Sequence, residues 1–202
     1  RYYIGLKTNI AGTYKELSEV DDPQYMEPAV NHYKELLTIV DKVNDPYRYA
    51  TLNLALGNLY ARQATNDERL LEKAIDCFSE GKTIFTPQTS PDNYADIQIN
   101  LGVIKSRFYD DEAVLLESVD LVNEALEYLE ANKENFPARY AFAQNNLGEI
   151  YKKLATYDSA YLKKAIECYE NALPYFPQDT HPKNYANLQR NLAEMYKLVE
   201  ED

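Results

Sequence analysis

Tryptophan is absent from this chain of 202 residues, and cysteine and histidine occur only twice each. Two histidines with no Cys or His at metal-ligand spacing leave no structural zinc pattern. Glycine (6) and proline (9) are scarce, which excludes collagen-like and low-complexity disordered composition. Long apolar runs are lacking too. The apolar runs are only a few residues long and fall far short of the roughly 20 residues that cross a bilayer. No charged-then-apolar leader opens the chain, so a cytoplasmic location is expected. The first residue is Arg1 in place of Met, which points to a piece of something larger. Basic residues are the minority, 21 against 33 acidic, for a formal net charge of −12. A phosphate backbone or an anionic membrane surface needs the opposite sign, so neither nucleic acid nor membrane is an expected partner. The charge is uneven: residues 1–136 carry 13 basic and 24 acidic side chains, residues 137–197 carry 8 and 6. What the chain has in excess is tyrosine, 19 of them.

The tyrosines belong to an internal repeat. Pro46, Pro91, Pro137 and Pro182 each open a similar five-residue phrase ending in Tyr-Ala, at spacings of 45, 46 and 45. The pairs are Tyr49-Ala50, Tyr94-Ala95, Tyr140-Ala141 and Tyr185-Ala186. Seven residues on come Leu56-Gly57, Leu101-Gly102, Leu147-Gly148 and Leu192-Ala193, and then Tyr60, Tyr151 and Tyr196. An earlier copy opens the chain, with Tyr3, Ile10-Ala11 and Tyr14 in the matching places. The boundaries that follow are 1–45, 46–90, 91–136 and 137–181, with a partial repeat at 182–202, in a single array.

A second block recurs in each unit. Ala29-x-x-x-Tyr33, Ala74-x-x-x-Phe78 and Ala165-x-x-x-Tyr169 match, with Ser118-x-x-x-Val122 as a degenerate copy. Leu36, Gly81, Ala125 and Ala172 follow three residues later. Spacings of three and four place these residues on one helical face. Each unit therefore reads as two helices. Helix A begins at the proline, whose missing N–H is unpaired at a helix start anyway, with Asp45 or Ser90 before it as N-cap. Polar breaks at Thr65-Asn66-Asp67 and Thr156-Tyr157-Asp158 separate A from B. Helix B runs to about Ile84, Leu129 or Tyr175, and Pro174 is expected to bend or end the fourth one.

Leu56-Gly57-x-x-Tyr60 with Ala74-x-x-x-Phe78, and Leu147-Gly148-x-x-Tyr151 with Ala165-x-x-x-Tyr169 and Pro177, resemble the tetratricopeptide repeat. The resemblance covers essentially the whole chain. The period is longer than the family's 34 residues, and Asn53, Gln98, Gln144 and Gln189 stand where that family places Trp. Such long repeats resemble those of kinesin light chains and of large bacterial signalling proteins. The expected fold is an all-α, right-handed α-solenoid of stacked antiparallel helix pairs, four complete pairs plus one extra helix. A two-helix unit cannot bury its own apolar face and stacks on its neighbours. Leu188, Leu192 and Met195 of the last helix are expected to bury against a following B helix. Either the chain continues beyond Asp202 or a second copy covers that face, so self-association through the C-terminal helix is an expected contact.

Catalytic constellations are lacking. There is no Gly-rich phosphate loop, nucleophile elbow or metal-ligand spacing, so no enzyme activity, cofactor or metal is expected. Asp21-Asp22 and Asp110-Asp111-Glu112 sit in inter-helix turns, where carboxylates cap the positive end of a helix dipole. Cys77 and Cys168 hold equivalent places two repeats apart, too far to bridge, and read as buried, inert thiols. The recurring tyrosines read as packing residues whose hydroxyls reach polar neighbours.

Asparagine supplies the functional hint. Asn9, Asn100, Asn146 and Asn191 occupy one place in helix A, just before the Leu-Gly pair, and Ala55 breaks the series. The resemblance implies that helix A lines a concave groove and that an amide there grips the backbone of an extended peptide. An amide both donates and accepts, so it pairs with a peptide unit whatever its side chain. The competing reading has these amides tie neighbouring helices together. The same mapping places Asn58, Glu149, Lys152, Arg190, Glu194 and Lys197 in the groove, the cations receiving an acidic side chain or a C-terminal carboxylate. The expected function is a protein–protein interaction scaffold that binds a protein or peptide segment in the groove. The alternative is a regulatory or oligomerisation arm of a larger multidomain signalling protein.

Overall fold

The computed structural model describes residues 2–19, 23–64 and 67–201. The fold is all-α: the described residues form nine α-helices and no strand. They fall into two compact units, residues 1–90 and residues 91–202. The first holds α1 (Tyr2–Glu19), a 3-10 turn at Pro23–Tyr25, α2 (Met26–Ile39), α3 (Pro46–Gln63) and α4 (Glu68–Lys82). The second holds α5 (Pro91–Phe108), α6 (Glu112–Ala131), α7 (Pro137–Leu154), α8 (Tyr161–Ala172), a 3-10 turn at Leu173–Tyr175 and α9 (Pro182–Glu201). Odd-numbered helices are A helices and even-numbered ones B helices. Within each unit every helix packs on its neighbour in sequence, the arrangement of an all-α solenoid of helix pairs.

The helix ends follow from local chemistry. Each recurring proline is the first residue of its A helix. Asp45 accepts the Arg48 backbone N–H at 3.4 Å at the start of α3. Asp111 accepts the N–H groups of Ala113 and Val114 at 3.0 and 3.2 Å and so caps α6. That acidic turn is a cap, and no group of three or more candidate ligands for a metal occurs among the described residues. Asp21-Asp22 and Thr65-Asn66 lie outside the described residues. Pro174 falls in the 3-10 turn that follows α8, because its ring cannot continue the i to i−4 ladder. Pro28 sits in the first turn of α2, where its missing N–H is one of four that have no intrahelical partner.

The interior of each pair is a small residue of helix A against the bulky residue of helix B. A Cβ built on Gly57 would stand 2.7 Å from the Phe78 ring, and one on Gly148 2.6 Å from the Tyr169 ring. In the degenerate repeat a Cβ on Gly102 would meet Val122 at 2.8 Å and the Ser118 carbonyl oxygen at 2.9 Å. Phe78, Val122 and Tyr169 are all fully buried. The Leu-Gly phrase is thus the contact at which two helices approach closest, and the aromatic is what fills it.

The Tyr-Ala tyrosines make a second recurring tie. The Tyr3 hydroxyl donates to Glu35 at 3.5 Å, that of Tyr49 to Glu80 at 3.5 Å and that of Tyr94 to Glu124 at 2.5 Å. The three glutamates hold one place in helix B, two residues after the bulky position. Amides at the position of the family's Trp join in. Asn53, Gln98 and Gln144 are buried. Gln98 donates to Glu124, Asn53 to the Tyr49 carbonyl at 3.0 Å, and Gln144 to the Tyr140 hydroxyl at 3.2 Å. A buried polar group is costly unless paired, and here the pairing closes inside each repeat.

One expectation about α9 is corrected. Leu188, Leu192 and Met195 are 2 %, 6 % and 0 % exposed without any following helix, because α9 packs them into the core shared with α8. An A helix has two apolar flanks, one for the preceding B helix and one for its own. These three residues lie on the first. The second carries Gln189, Ala193 and Tyr196, all exposed.

Candidate functional site

In the second unit the A helices α5 and α7 meet directly. Between them opens a cavity of about 200 Å³ lined by Val103, Ser106 and Arg107 from α5 and Asn146, Glu149 and Lys153 from α7. The placement follows from helical spacing. Gly148 turns inward to α8, so Asn146, Glu149 and Lys153, at intervals of three and four, share the opposite face. Lys153 donates to the Ser106 carbonyl at 2.6 Å and so neutralises carbonyls in the last turn of α5. In the first unit Arg62 of α3 does the same to the Ser18 carbonyl of α1, at 2.9 Å.

Asn146 is half-buried in this cavity, and among the described residues neither its amide nor the Arg107 guanidinium has a hydrogen-bonding or ionic partner. Asn191 differs from expectation. It is 7 % exposed and donates to the Glu149 carboxylate, which ties α9 to α7. The physical reason is the neighbouring carboxylate: a buried amide with an acceptor in reach pairs with it rather than staying open for a ligand. Lys152 is ion-paired with Glu194 at 2.5 Å, and Arg190 donates to Asn187 at 3.2 Å. Lys197 is exposed and Asn58 and Asn100 are half-buried, each with an interaction of its own. Asn9 is exposed on α1. The structure therefore gathers Asn146 and Glu149 at one cavity, joins Asn191 to Glu149, and pairs Lys152 with Glu194.

Val103, Ser106, Arg107 and Lys153 are lining residues that the asparagine series does not point to. The signal for two of them was periodic: Arg62, Arg107 and Lys153 recur at 45 and 46 residues, a cation in the last turn of successive A helices.

The titratable groups are built for packing. Burial pushes the thiols of Cys77 and Cys168 up to about 12, with nearby carboxylates adding to it. Burial first, then the Glu124 carboxylate, raises Tyr94 to about 12, and burial with Glu130 does the same to Tyr140. The Tyr169 hydroxyl, fully buried behind Gly148 and without a hydrogen-bond partner in good geometry among the described residues, is pushed up chiefly by burial and then by the Glu149 charge.

No helix of the described residues is long and apolar enough to cross a membrane. No family model matches the sequence, and no curated protein matches it. Among solved structures, the crystal structure of BtubC (BKLC) from P. vanneervenii is similar, with a TM-score of 0.53 and 20 % sequence identity over 98 % of this chain and 83 % of that one. At that identity the likeness is one of fold, and the fold is a tetratricopeptide-like helical repeat.

Proposed function

We propose that this chain is a non-catalytic protein–protein interaction scaffold of the tetratricopeptide kind, which takes an extended or helical protein segment on the face of its A helices. The observation that carries this reading is the cavity between α5 and α7. There an unengaged amide, Asn146, and an unengaged guanidinium, Arg107, flank the apolar Val103. An amide pairs with any peptide unit, and the apolar neighbour offers the segment surface to bury. One net hydrogen bond contributes about 0.5–1.5 kcal/mol, set against about 8 kcal/mol for micromolar binding. The amide is therefore a positioning contact, and side chains of the bound segment supply most of the affinity.

Asn9, Asn58, Asn100 and Asn146 remain proposed contacts, as do Arg190 and Lys197. Asn191 and Lys152 enter in another role: they hold Glu149 and Glu194 in place at the edge of the same face. The chain would be a binding module without a cofactor, and its partners proteins or peptides rather than nucleic acid. The test is a pull-down with the immobilised chain, followed by identification of what is retained and titration of a peptide from the retained protein. Asn146→Ala and Arg107→Ala should each weaken that peptide several-fold while leaving the melting temperature in place. Unchanged affinity in both variants would remove the α5–α7 face from the function.

A further inference from the structure

Tyr169 brings a hydroxyl to a place where packing alone does not need one. Its ring fills the space beside Gly148, and the carbon that bears the hydroxyl would stand 3.0 Å from a Cβ built on that glycine. The hydroxyl thus arrives at helix α7 next to Glu149. It is buried without a hydrogen-bond partner in good geometry among the described residues, a state that costs free energy. Phe78 fills the same place in the second repeat and Val122 in the third with no hydroxyl at all, and Tyr33 in the first has an interaction of its own. The residue on helix A changes in step. Twelve residues after the recurring proline stand Asn58, Val103, Glu149 and Glu194. Of the repeats with both helices, only the fourth sets a carboxylate on helix A beside a tyrosine on helix B. After burial, the Glu149 charge is the next cause that raises the pKa of this hydroxyl, as their nearness requires.

Glu149 meanwhile takes the amide of Asn191 on α9. Glu194, whose charge also reaches the hydroxyl, is held by Lys152 at 2.5 Å, so Glu149 is the carboxylate that can serve it. We propose that Glu149 is a two-position carboxylate: in the chain by itself it holds the Asn191 amide, and when a segment occupies the A-helix face it turns to the Tyr169 hydroxyl and releases that amide to a peptide unit of the segment. The proposal rests on the reading of the A-helix face as a binding face, and it makes Asn191 a latent contact there. Glu149 is exposed, so its side chain can change rotamer without repacking the core. The move exchanges one charge-assisted hydrogen bond for another, which keeps the release of Asn191 cheap. The released amide holds the same place in the repeat as Asn146, one helix pair further on, so the two amides engage successive parts of one extended backbone. The hydroxyl left unpaired in the chain by itself is the reserve that makes the exchange possible.

A double-mutant cycle on stability tests the two positions with no segment present. Tyr169→Phe keeps the ring that fills the pair, as Phe78 does, and should melt at or above wild type because it removes an unpaired hydroxyl. Asn191→Ala frees Glu149 to meet Tyr169. It should therefore lower the melting midpoint less in the wild-type background than in the Tyr169→Phe background, by about 2–4 °C, the worth of roughly one hydrogen bond in a chain of this size. Binding tests the exchange itself. The probe is a fluorescein-labelled dodecapeptide selected by phage display on the immobilised chain and titrated by fluorescence anisotropy. Tyr169→Phe should weaken it about three- to tenfold, although the residue is buried beyond the segment's reach, and Asn191→Ala should weaken it as well. With Asn191 already replaced, Tyr169→Phe should add nothing, since no amide is left to release. An additive stability cycle, or a Tyr169→Phe protein that melts below wild type, would overturn the proposal. So would unchanged affinity in Tyr169→Phe for a peptide that Asn146→Ala weakens. A peptide that neither Asn146→Ala nor Arg107→Ala weakens would overturn the reading of the α5–α7 face instead, and the stability cycle would still decide whether the carboxylate has two positions.

Discussion

Glycine-to-alanine substitution should have opposite signs in different A helices. At Gly12 of α1 an added Cβ has nothing within 4 Å. Alanine is better than glycine in a helix interior by about 1 kcal/mol, so Gly12→Ala should stabilise by roughly that amount or somewhat less. At Gly148 the same gain is available, but the added Cβ would lie 2.6, 2.8 and 3.0 Å from three atoms of the Tyr169 ring. That ring is 0 % exposed and has nowhere to retreat. Overpacking of this kind costs about 1–3 kcal/mol, which leaves a net loss of about 0–2 kcal/mol after the helical gain. Gly102→Ala should lose more than Gly148→Ala, because one of its obstacles is the Ser118 carbonyl of the α6 backbone and the other a stiff β-branched Val122. In a chain of this length 1 kcal/mol moves the melting midpoint by about 2–4 °C. Thermal and urea unfolding followed by circular dichroism at 222 nm will order the variants as Gly12→Ala above wild type, Gly148→Ala below it and Gly102→Ala lowest. A Gly148→Ala protein that melts at or above Gly12→Ala would refute the claim that the Leu-Gly phrase is a steric contact with helix B.

Three further outcomes are expected. Asn191→Ala should destabilise by about 0.5–1.5 kcal/mol, the net contribution of its hydrogen bond to the exposed Glu149 carboxylate, whereas Asn146→Ala should stay within about 0.5 kcal/mol of wild type; equal melting of the two would make Asn191 as free as Asn146. Native Cys77 and Cys168 should resist a thiol-specific reagent at neutral pH and react only on unfolding, and reductant should leave the melting midpoint where it is; prompt labelling of the folded chain would show that burial does not protect them. Stability should fall in alkali. Tyr94 and Tyr140 are raised from 10.0 to about 12 and the two thiols from 9.0 to about 12, so above pH 9–10 the unfolded chain gives up protons that the folded chain retains. The stabilisation present below that range is lost as pH climbs toward 12, to be read as a falling urea midpoint, with tyrosinate absorbance at 295 nm rising at unfolding; a midpoint flat from pH 9 to 12 would contradict it.

The sequence by itself determined the helices. A 45- or 46-residue period, proline at each A-helix start and small–aromatic spacings of three and four are local statements about helix geometry, and they settle all-α class, helix order and most ends without reference to neighbours. That Gly57, Gly102 and Gly148 face a bulky residue of helix B is seen only in the packed structure. Tertiary structure decided which polar groups are free. Asn146 and Asn191 hold the same place in the repeat, yet one lines a cavity unengaged and the other is spent on Glu149. That difference depends on what the adjacent A helix presents across the gap, and on whether a further helix follows. The role of Gln98 could not be read from its own helix either, since its partner Glu124 comes from α6, 26 residues on. Leu6 makes the same point in reverse. Periodicity marks Leu6 and Leu52 as equivalents, but a residue's burial is a property of the helix packed on it, and only the assembled fold shows that, among the described residues, Leu52 is buried and Leu6 exposed.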